Sequence, residues 1–335
     1  MYQKTIPAVL ATDDKFAPYC SVAIASIIAQ SSPDNFYDIY VFYDSLSEKN
    51  IAKLCSQAKA NVSIQCISVT ALMDKDVLYA RGRISITTYL RLYIGEVLPQ
   101  YDTIVYLDCD IIVNTDLARL LELDMGNNIL GGVVVFRNTP EENKSKRAYL
   151  RKTLGMEPEQ YINAGVLLIN AKLFRQEEIR KKCMDTLAVR RDFLWMDQDV
   201  LNFVCKGRIE YLDSGWNTYY RYFERDLQSG AAQPGQFHIL HYLDQGKPWA
   251  QLFIPSYIYF MEYIRSTPYC EQLTADLIRL NAEVPAVSAT PAARAVPSGP
   301  ETAVLDMYRT GKLGFRYILR YIKAWFAYKL RIKRS

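Results

Sequence analysis

Val105-Tyr106-Leu107-Asp108-Cys109-Asp110-Ile111-Ile112-Val113-Asn114-Thr115 is a strongly apolar run interrupted by two carboxylates one residue apart. Its β-branched and aromatic residues predict a strand, with Asp108 and Asp110 delivered at its end. The carboxyl edge of an open α/β sheet is where ligands bind, so the same stretch indicates the fold class and the end of the sheet that carries the chemistry. Hard divalent cations need oxygen ligands, and an Asp-x-Asp pair can give both carboxylates to one ion or divide them between ion and ligand. A strand-to-turn junction that favours Asp has the same pattern, and both readings stand at this point.

Outward from this run, the pattern alternates between strand and helix. Ile6–Ala11 and Tyr37–Tyr43 are strand-like and flank a helix predicted over Ser21–Gln30, an arrangement that fits a right-handed βαβ unit. Glu48–Ala60 has helical spacing, Val62–Val69 is strand-like, and a helix is predicted over Thr87–Val97, closed by Pro99. Strands are expected at Thr103–Leu107, Ile129–Phe136, Gly165–Asn170 and Ile209–Leu212. Residues 283–300 carry Pro285, Pro291, Pro297 and Pro300 among Ala, Ser and Val, which is linker composition. The expected domains are therefore 1–282, a linker at 283–300, and a tail at 301–335.

Half of the 335 residues are apolar, enough for a sizeable core. Met1–Ala11 lacks the features of a secretory signal. No uncharged apolar stretch reaches the about 18 residues that suggest a spanning helix. The seven cysteines, at 20, 55, 66, 109, 183, 205 and 270, show no Cys-x-x-Cys spacing and read as buried thiols of a reducing cytoplasm. Charge is uneven: Arg309–Arg334 holds nine Lys or Arg and no acidic residue, leaving 31 basic against 36 acidic residues elsewhere. In that tail Phe315, Ile318, Leu319, Ile322, Trp325, Phe326 and Leu330 share one helical face and Arg316, Arg320, Lys323, Arg331 and Arg334 another. This is the pattern of a peripheral helix attracted to an anionic membrane surface, although a helix docked on the body would also fit. Nucleic acid is not expected, because the body is acidic and no basic groove or motif accompanies the tail.

The only histidines are His238 and His241. Zinc would need more ligands at set spacings, whereas one imidazole could complete a site begun by the Asp pair; mixed nitrogen and oxygen ligands favour Mn2+ over Mg2+. Either histidine read alone also suits a structural place. Lys247 could set a positive charge beside phosphate oxygens. Asp13, in Ala11-Thr12-Asp13-Asp14, could bind a base or ribose or cap a helix. Asn163 precedes a buried strand, and Asp197, Gln198 and Asp199 crowd the start of a predicted helix, where capping accounts for only one of them. No Gly-x-Ser-x-Gly, Walker loop or Gly-x-Gly-x-x-Gly occurs, which removes serine hydrolases, P-loop enzymes and dinucleotide enzymes.

Ala11–Asp14, Ile84–Arg91, Tyr106–Asp110, Tyr161–Asn170, Met196–Asn202 and His241–Trp249, taken together and in this order, resemble glycosyltransferase family 8, over roughly residues 5–265. The resemblance implies an A-type glycosyltransferase fold: α/β, with a Rossmann-like nucleotide-binding domain and a mixed central sheet, followed here by the amphipathic tail. It also implies retention of anomeric configuration and a UDP-hexose donor carrying galactose or glucose. Asp108, Asp110 and His241 would then ligate Mn2+, or Mg2+. Ala11, Thr12 and Asp13 would hold uracil and ribose, with Cys109 alongside in the donor-binding run. Lys247 would touch the diphosphate. Arg91, Asn163, Ala164, Asp197 and Gln198 would line the donor-sugar pocket.

Within that resemblance Gln198 stands where a nucleophile on the sugar's far face is expected, and an amide is a poor one. Front-face substitution, with Asp197 positioning the sugar hydroxyls, is the expected route. The chain departs from many relatives at Asp244, where they have Gly, at Lys15, where Asn is frequent, and in Gly131–Phe136, which lacks an acidic residue near the acceptor. A basic aromatic tail fits an enzyme on the cytoplasmic membrane surface that extends a lipid-linked glycan such as lipopolysaccharide core. The other readings are a haloacid-dehalogenase-type phosphatase, which also places Asp-x-Asp after a strand, and a non-catalytic sugar-nucleotide or membrane-binding module.

Overall fold

The computed structural model describes residues 2–80, 85–135, 144–233, 235–243, 246–250 and 256–282. The linker at 283–300, the tail at 301–335 and Asp244 lie outside them. The described residues form two compact units, one of those up to Thr218 with Phe237–His241, the other of those in Tyr219–Gln236 and after His241.

In the first unit, β1 (Thr5–Ala11), β2 (Phe36–Tyr43), β3 (Val62–Ser68), β4 (Thr103–Leu107), β6 (Leu130–Val134), β7 (Ile162–Asn170) and β8 (Ile209–Tyr211) form one sheet. Its order is β3-β2-β1-β4-β7-β6-β8. β3, β2, β1 and β4 are mutually parallel, whereas β7 is antiparallel to both β4 and β6, and β8 is parallel to β6. The sheet is therefore mixed, as expected. Nearly every residue of β1, β4 and β7 is buried, so these strands are covered on both faces and need no polar alternation. Pro7, which cannot donate, precedes the Ala8–Leu10 stretch that pairs with β4.

β5 (Ile111–Val113) continues the apolar run beyond the Asp pair and pairs antiparallel with a short strand, Ile239–His241, in a separate small sheet. The run at 105–115 is thus two strands in different sheets, joined at Asp108–Asp110. Helix α1 (Ala17–Gln30) connects β1 to β2 and is buried over most of its length. Helix α2 (Glu48–Cys55) starts with Ser47, whose side chain accepts from the Asn50 N–H, and ends earlier than the predicted Ala60.

The helix predicted over Thr87–Val97 is instead a 3-10 helix at Ile86–Tyr93 leading into a single α turn at Ile94–Val97. Five consecutive residues, Tyr89–Tyr93, are buried, so this segment is enclosed on several sides rather than amphipathic. The tighter winding eclipses positions three apart, and the Arg91 Nε–H donates to the Thr88 carbonyl at 2.8 Å.

The second unit is built on helices Tyr220–Ser229, Tyr257–Ile264 and Cys270–Ala282, with the Phe223 ring against Tyr259 and the Tyr242 ring against Phe260. Burial raises the Glu224 carboxyl above its ordinary value, against the lowering effect of the Ser256 hydroxyl and N–H it accepts from. Among the described residues no helix is long and apolar enough to cross a membrane.

Candidate metal and donor site

Strand register explains the convergence at the sheet's carboxyl edge. β1 and β4 run parallel with Leu10 opposite Leu107, so Ala11 and Asp108 emerge side by side. The amino end of antiparallel β7 meets them, and the Asp108 N–H donates to the Gly165 carbonyl at 2.7 Å. Pairing of Ile111 with His241 brings the imidazole alongside Asp110.

Asp108, Asp110 and His241 each offer a ligand atom within 4.8 Å of the others. His241 Nε2 lies 3.2 Å from Asp110 Oδ1 and 3.8 Å from Asp108 Oδ2, and the imidazole is fully buried. The hydrogen that Gly165 carries instead of a methyl makes this possible. A Cβ built there would lie 2.3 Å from His241 Cε1 and 2.6 Å from Asp108 Oδ2. Two carboxylates and one imidazole in a cradle only glycine leaves open form a donor set that fits Mn2+ or Mg2+.

Arg91 braces the same edge. It is almost wholly buried, its Nη2 donates to Asp108 Oδ1 at 2.8 Å, and its Nε stands 3.1 Å from Asp197. Another guanidinium N–H donates to the Ala164 carbonyl, and the guanidinium carbon lies 4.3 Å from the centre of the Tyr106 ring. The Tyr106 hydroxyl adds a hydrogen bond to Asp108 Oδ1 at 3.0 Å. Burial alone would lower the Arg91 pKa; the Asp108 and Asp197 carboxylates more than reverse it and keep the guanidinium charged. Asp197 is raised to about 6, chiefly by burial, with Arg91 and the Thr88 hydroxyl opposing.

Asp197, Gln198 and Asp199 have three separate tasks at the start of the helix Met196–Val204. Asp197 faces Arg91. Gln198 Oε1 accepts from Asn163 Nδ2 at 2.8 Å and from the Ala164 N–H at 3.0 Å. Asp199 gathers the loop before the helix, accepting from the Leu194 and Trp195 N–H groups and from the Tyr149 and Tyr161 hydroxyls. Burial raises the Asp199 carboxyl, and those donors pull it back. These bonds hold Met196 in a left-handed conformation, φ +43°, that a non-glycine residue adopts only when its surroundings enforce it.

Among the remaining candidates, Cys109 turns from the ligand cluster and donates to the Ala11 carbonyl at 3.1 Å, and its contact with Cys20 together with burial keeps it a thiol. Thr12 is buried. Asp13 Oδ1 accepts from the Phe16 N–H at 2.9 Å in the turn before α1, whose N-cap is Phe16 and which has no side-chain cap. His238 is not one of the clustered ligands; its ring lies 4.5 Å from that of Trp216. Lys247 belongs to the second unit, where its ammonium donates to the Tyr242 carbonyl. Sequence reading missed Tyr106, Gly165 as a cradle, and Asn217, whose Oδ1 lies 2.9 Å from His241 Nδ1. Tyr106 and Gly165 fall inside quoted segments; Asn217 stands in a stretch with no pattern to mark it.

A mixed α/β sheet with an Asp-x-Asp-His cluster at its carboxyl edge is the architecture of an A-type glycosyltransferase. The family model "Glycosyl transferase family 8" matches residues 7–252, and the chain belongs to that family. It is 27% identical over 267 residues to the lipopolysaccharide 1,3-galactosyltransferase of Salmonella typhimurium, covering 77% of each chain. The solved galactosyltransferase LgtC, in complex with donor and acceptor sugar analogs, is similar with a TM-score of 0.62 and 27% identity, over 84% of this chain and 98% of that one. The bifunctional glycosyltransferase WbbM is similar with a TM-score of 0.68 and 27% identity, over 82% of this chain but 52% of that one. The aligned part also spans 63% of a Haemophilus influenzae relative, at 30% identity over 64% of this chain. The phosphatase reading gives way to this family.

Proposed function

We propose that the protein is a retaining, metal-dependent hexosyltransferase that moves galactose or glucose from a UDP-sugar to a saccharide acceptor. The observation that carries this reading is the Asp108–Asp110–His241 cluster closed over Gly165. A divalent ion held there, Mn2+ by preference, would supply Lewis-acid stabilisation to the departing diphosphate.

The chain's own residues have distinct parts in this reading. Ala11, Thr12 and Asp13 receive uracil and ribose beside Cys109. Arg91 fixes the orientation of Asp108 and of Asp197 at once, and Asp197 positions the sugar hydroxyls. Lys247 adds a positive charge toward the diphosphate. Gln198 spends its carbonyl oxygen on two hydrogen bonds, from Asn163 and Ala164, which leaves it poorly suited to attack the anomeric carbon. Front-face substitution, in which the leaving phosphate accepts the incoming hydroxyl's proton, agrees better with that arrangement.

The acceptor proposed is a lipid-linked glycan such as lipopolysaccharide core. Residues 1–282 form the catalytic part, 283–300 a linker, and 301–335 a tail whose basic face at 309–334 holds the enzyme on the cytoplasmic face of an anionic membrane. Support comes from the name of the Salmonella typhimurium relative and from the composition of the tail. The test is UDP release from a panel of UDP-hexoses with Mn2+ or EDTA, comparing the native chain with Asp108→Asn and His241→Ala. Turnover of one donor that needs metal and is lost in both variants is expected; turnover unaffected by EDTA would overturn the reading.

A further inference from the structure

We infer that Asn217 is a positioning residue that fixes the tautomer and ring orientation of His241, and so sets the metal affinity of the cluster; the inference rests on the metal-site reading above. His241 has two ring nitrogens, and only the one without hydrogen can ligate a cation. Nε2 faces Asp108 and Asp110, while Nδ1 faces Asn217 Oδ1 at 2.9 Å. Which nitrogen carries the hydrogen therefore depends on which way the Asn217 amide points.

Two backbone groups decide that direction. A peptide N–H can only donate, so the Gly165 N–H, 2.9 Å from Asn163, must face the Asn163 carbonyl oxygen. The Ala164 N–H likewise must face the Gln198 carbonyl oxygen, at 3.0 Å. Asn163 Nδ2 then donates to Gln198 Oε1 at 2.8 Å. With Asn163 Oδ1 an acceptor, the Asn217 group facing it at 2.8 Å has to be the NH2. The Asn217 carbonyl oxygen is left facing His241, so Nδ1 carries the hydrogen and Nε2 presents its lone pair to the carboxylates. The relay is buried, with Asn217 at 2% and Asn163 at 8% exposure, and water has little part in it.

Asn217 is itself held firmly. It ends the 3-10 turn Ser214–Asn217, in which Asp213 accepts from the Gly215 N–H at 2.8 Å. The His238 N–H donates to the Gly215 carbonyl at 2.9 Å and the His238 ring packs on Trp216. The two histidines thus divide the work: one anchors the turn, the other receives its orientation from it.

The experiment measures Mn2+ affinity of the full chain by electron paramagnetic resonance for Asn217→Ala, Asn217→Asp and His241→Ala. It is paired with nitrogen NMR of histidine-labelled protein, whose signals come from His238 and His241 alone. Asn217→Ala should bind Mn2+ about 10- to 100-fold more weakly, the usual loss for an outer-shell partner. Its His241 signal should change from the Nδ1–H tautomer to a mixture. Asn217→Asp keeps an acceptor for Nδ1–H but sets a second acceptor against Asn163 Oδ1, so it should keep the Nδ1–H tautomer while binding Mn2+ more weakly than the native chain; it carries the tautomer test if the Ala variant does not fold. Native affinity and tautomer in Asn217→Ala, weaker affinity with an unchanged tautomer in that variant, or loss of the Nδ1–H tautomer in Asn217→Asp would each overturn the inference. Native Mn2+ affinity in His241→Ala would instead overturn the metal-site reading, and the inference with it.

Discussion

Asp38 and Asp108 lie at opposite ends of one sheet, and their surroundings differ in kind. Asp38, near the amino end of β2, accepts from the Ser63 hydroxyl on one oxygen and from the Tyr40 and Tyr101 hydroxyls on the other. Burial, with the Asp38 hydrogen bond adding to it, raises both tyrosines, so their protons stay in place to be donated. Asp108, beyond the carboxyl end of β4, is braced on Oδ1 by Arg91 and Tyr106 and turns Oδ2 toward His241 and the Asp110 side. A carboxylate surrounded by hydroxyl donors is part of the scaffold, whereas a braced carboxylate converging on other ligand atoms is equipped for a cation.

Substitutions at the two ends should separate these roles. Asp110→Asn should lower Mn2+ affinity by at least about 100-fold in a resonance titration, since outer-shell changes alone cost about 10- to 100-fold. Gly165→Ala should abolish metal binding by driving His241 and Asp108 apart, and calorimetry should also find about 1–3 kcal/mol of lost stability from overpacking. If that variant keeps native metal affinity, the cradle is not the constraint described.

Asp197 gives a pH signature peculiar to the carboxyl edge. Its pKa is about 6 in the folded chain against an ordinary 3.8, so between those values the folded state holds a proton that the unfolded state has released. The stability tied to this proton is full below about pH 3.8 and is lost as pH rises through 6. Denaturant titrations should show the native chain losing on the order of 3 kcal/mol relative to Asp197→Asn across that window. The smallest effect belongs to the other end: Asp38→Ala should cost about 1 kcal/mol, the net worth of hydrogen bonds from partly buried hydroxyls, and leave Mn2+ affinity unchanged.

The sequence disclosed the sheet well because its strands are continuous apolar runs, and the Asp pair because a strand's end is a fixed place in an α/β fold. It disclosed less where three-dimensional register does the work. The division at Asp108–Asp110 between two sheets is invisible in a run that stays apolar on both sides. The 3-10 winding of Ile86–Tyr93 follows from enclosure, not from periodicity. His241 could be weighed as a ligand only because histidines are scarce here, while Asn217, an ordinary polar residue, gains meaning solely from the atoms it faces. Lys247 and Asp13 are conspicuous in sequence, and their described hydrogen bonds include those to Tyr242 and Phe16.

The most direct measurement is calorimetric titration of UDP into the full chain with and without Mn2+, alongside Asp108→Asn. UDP binding that requires Mn2+ and disappears in the variant is the expected result. Equal binding in EDTA, or binding untouched by the substitution, would contradict a metal-held nucleotide diphosphate at this edge.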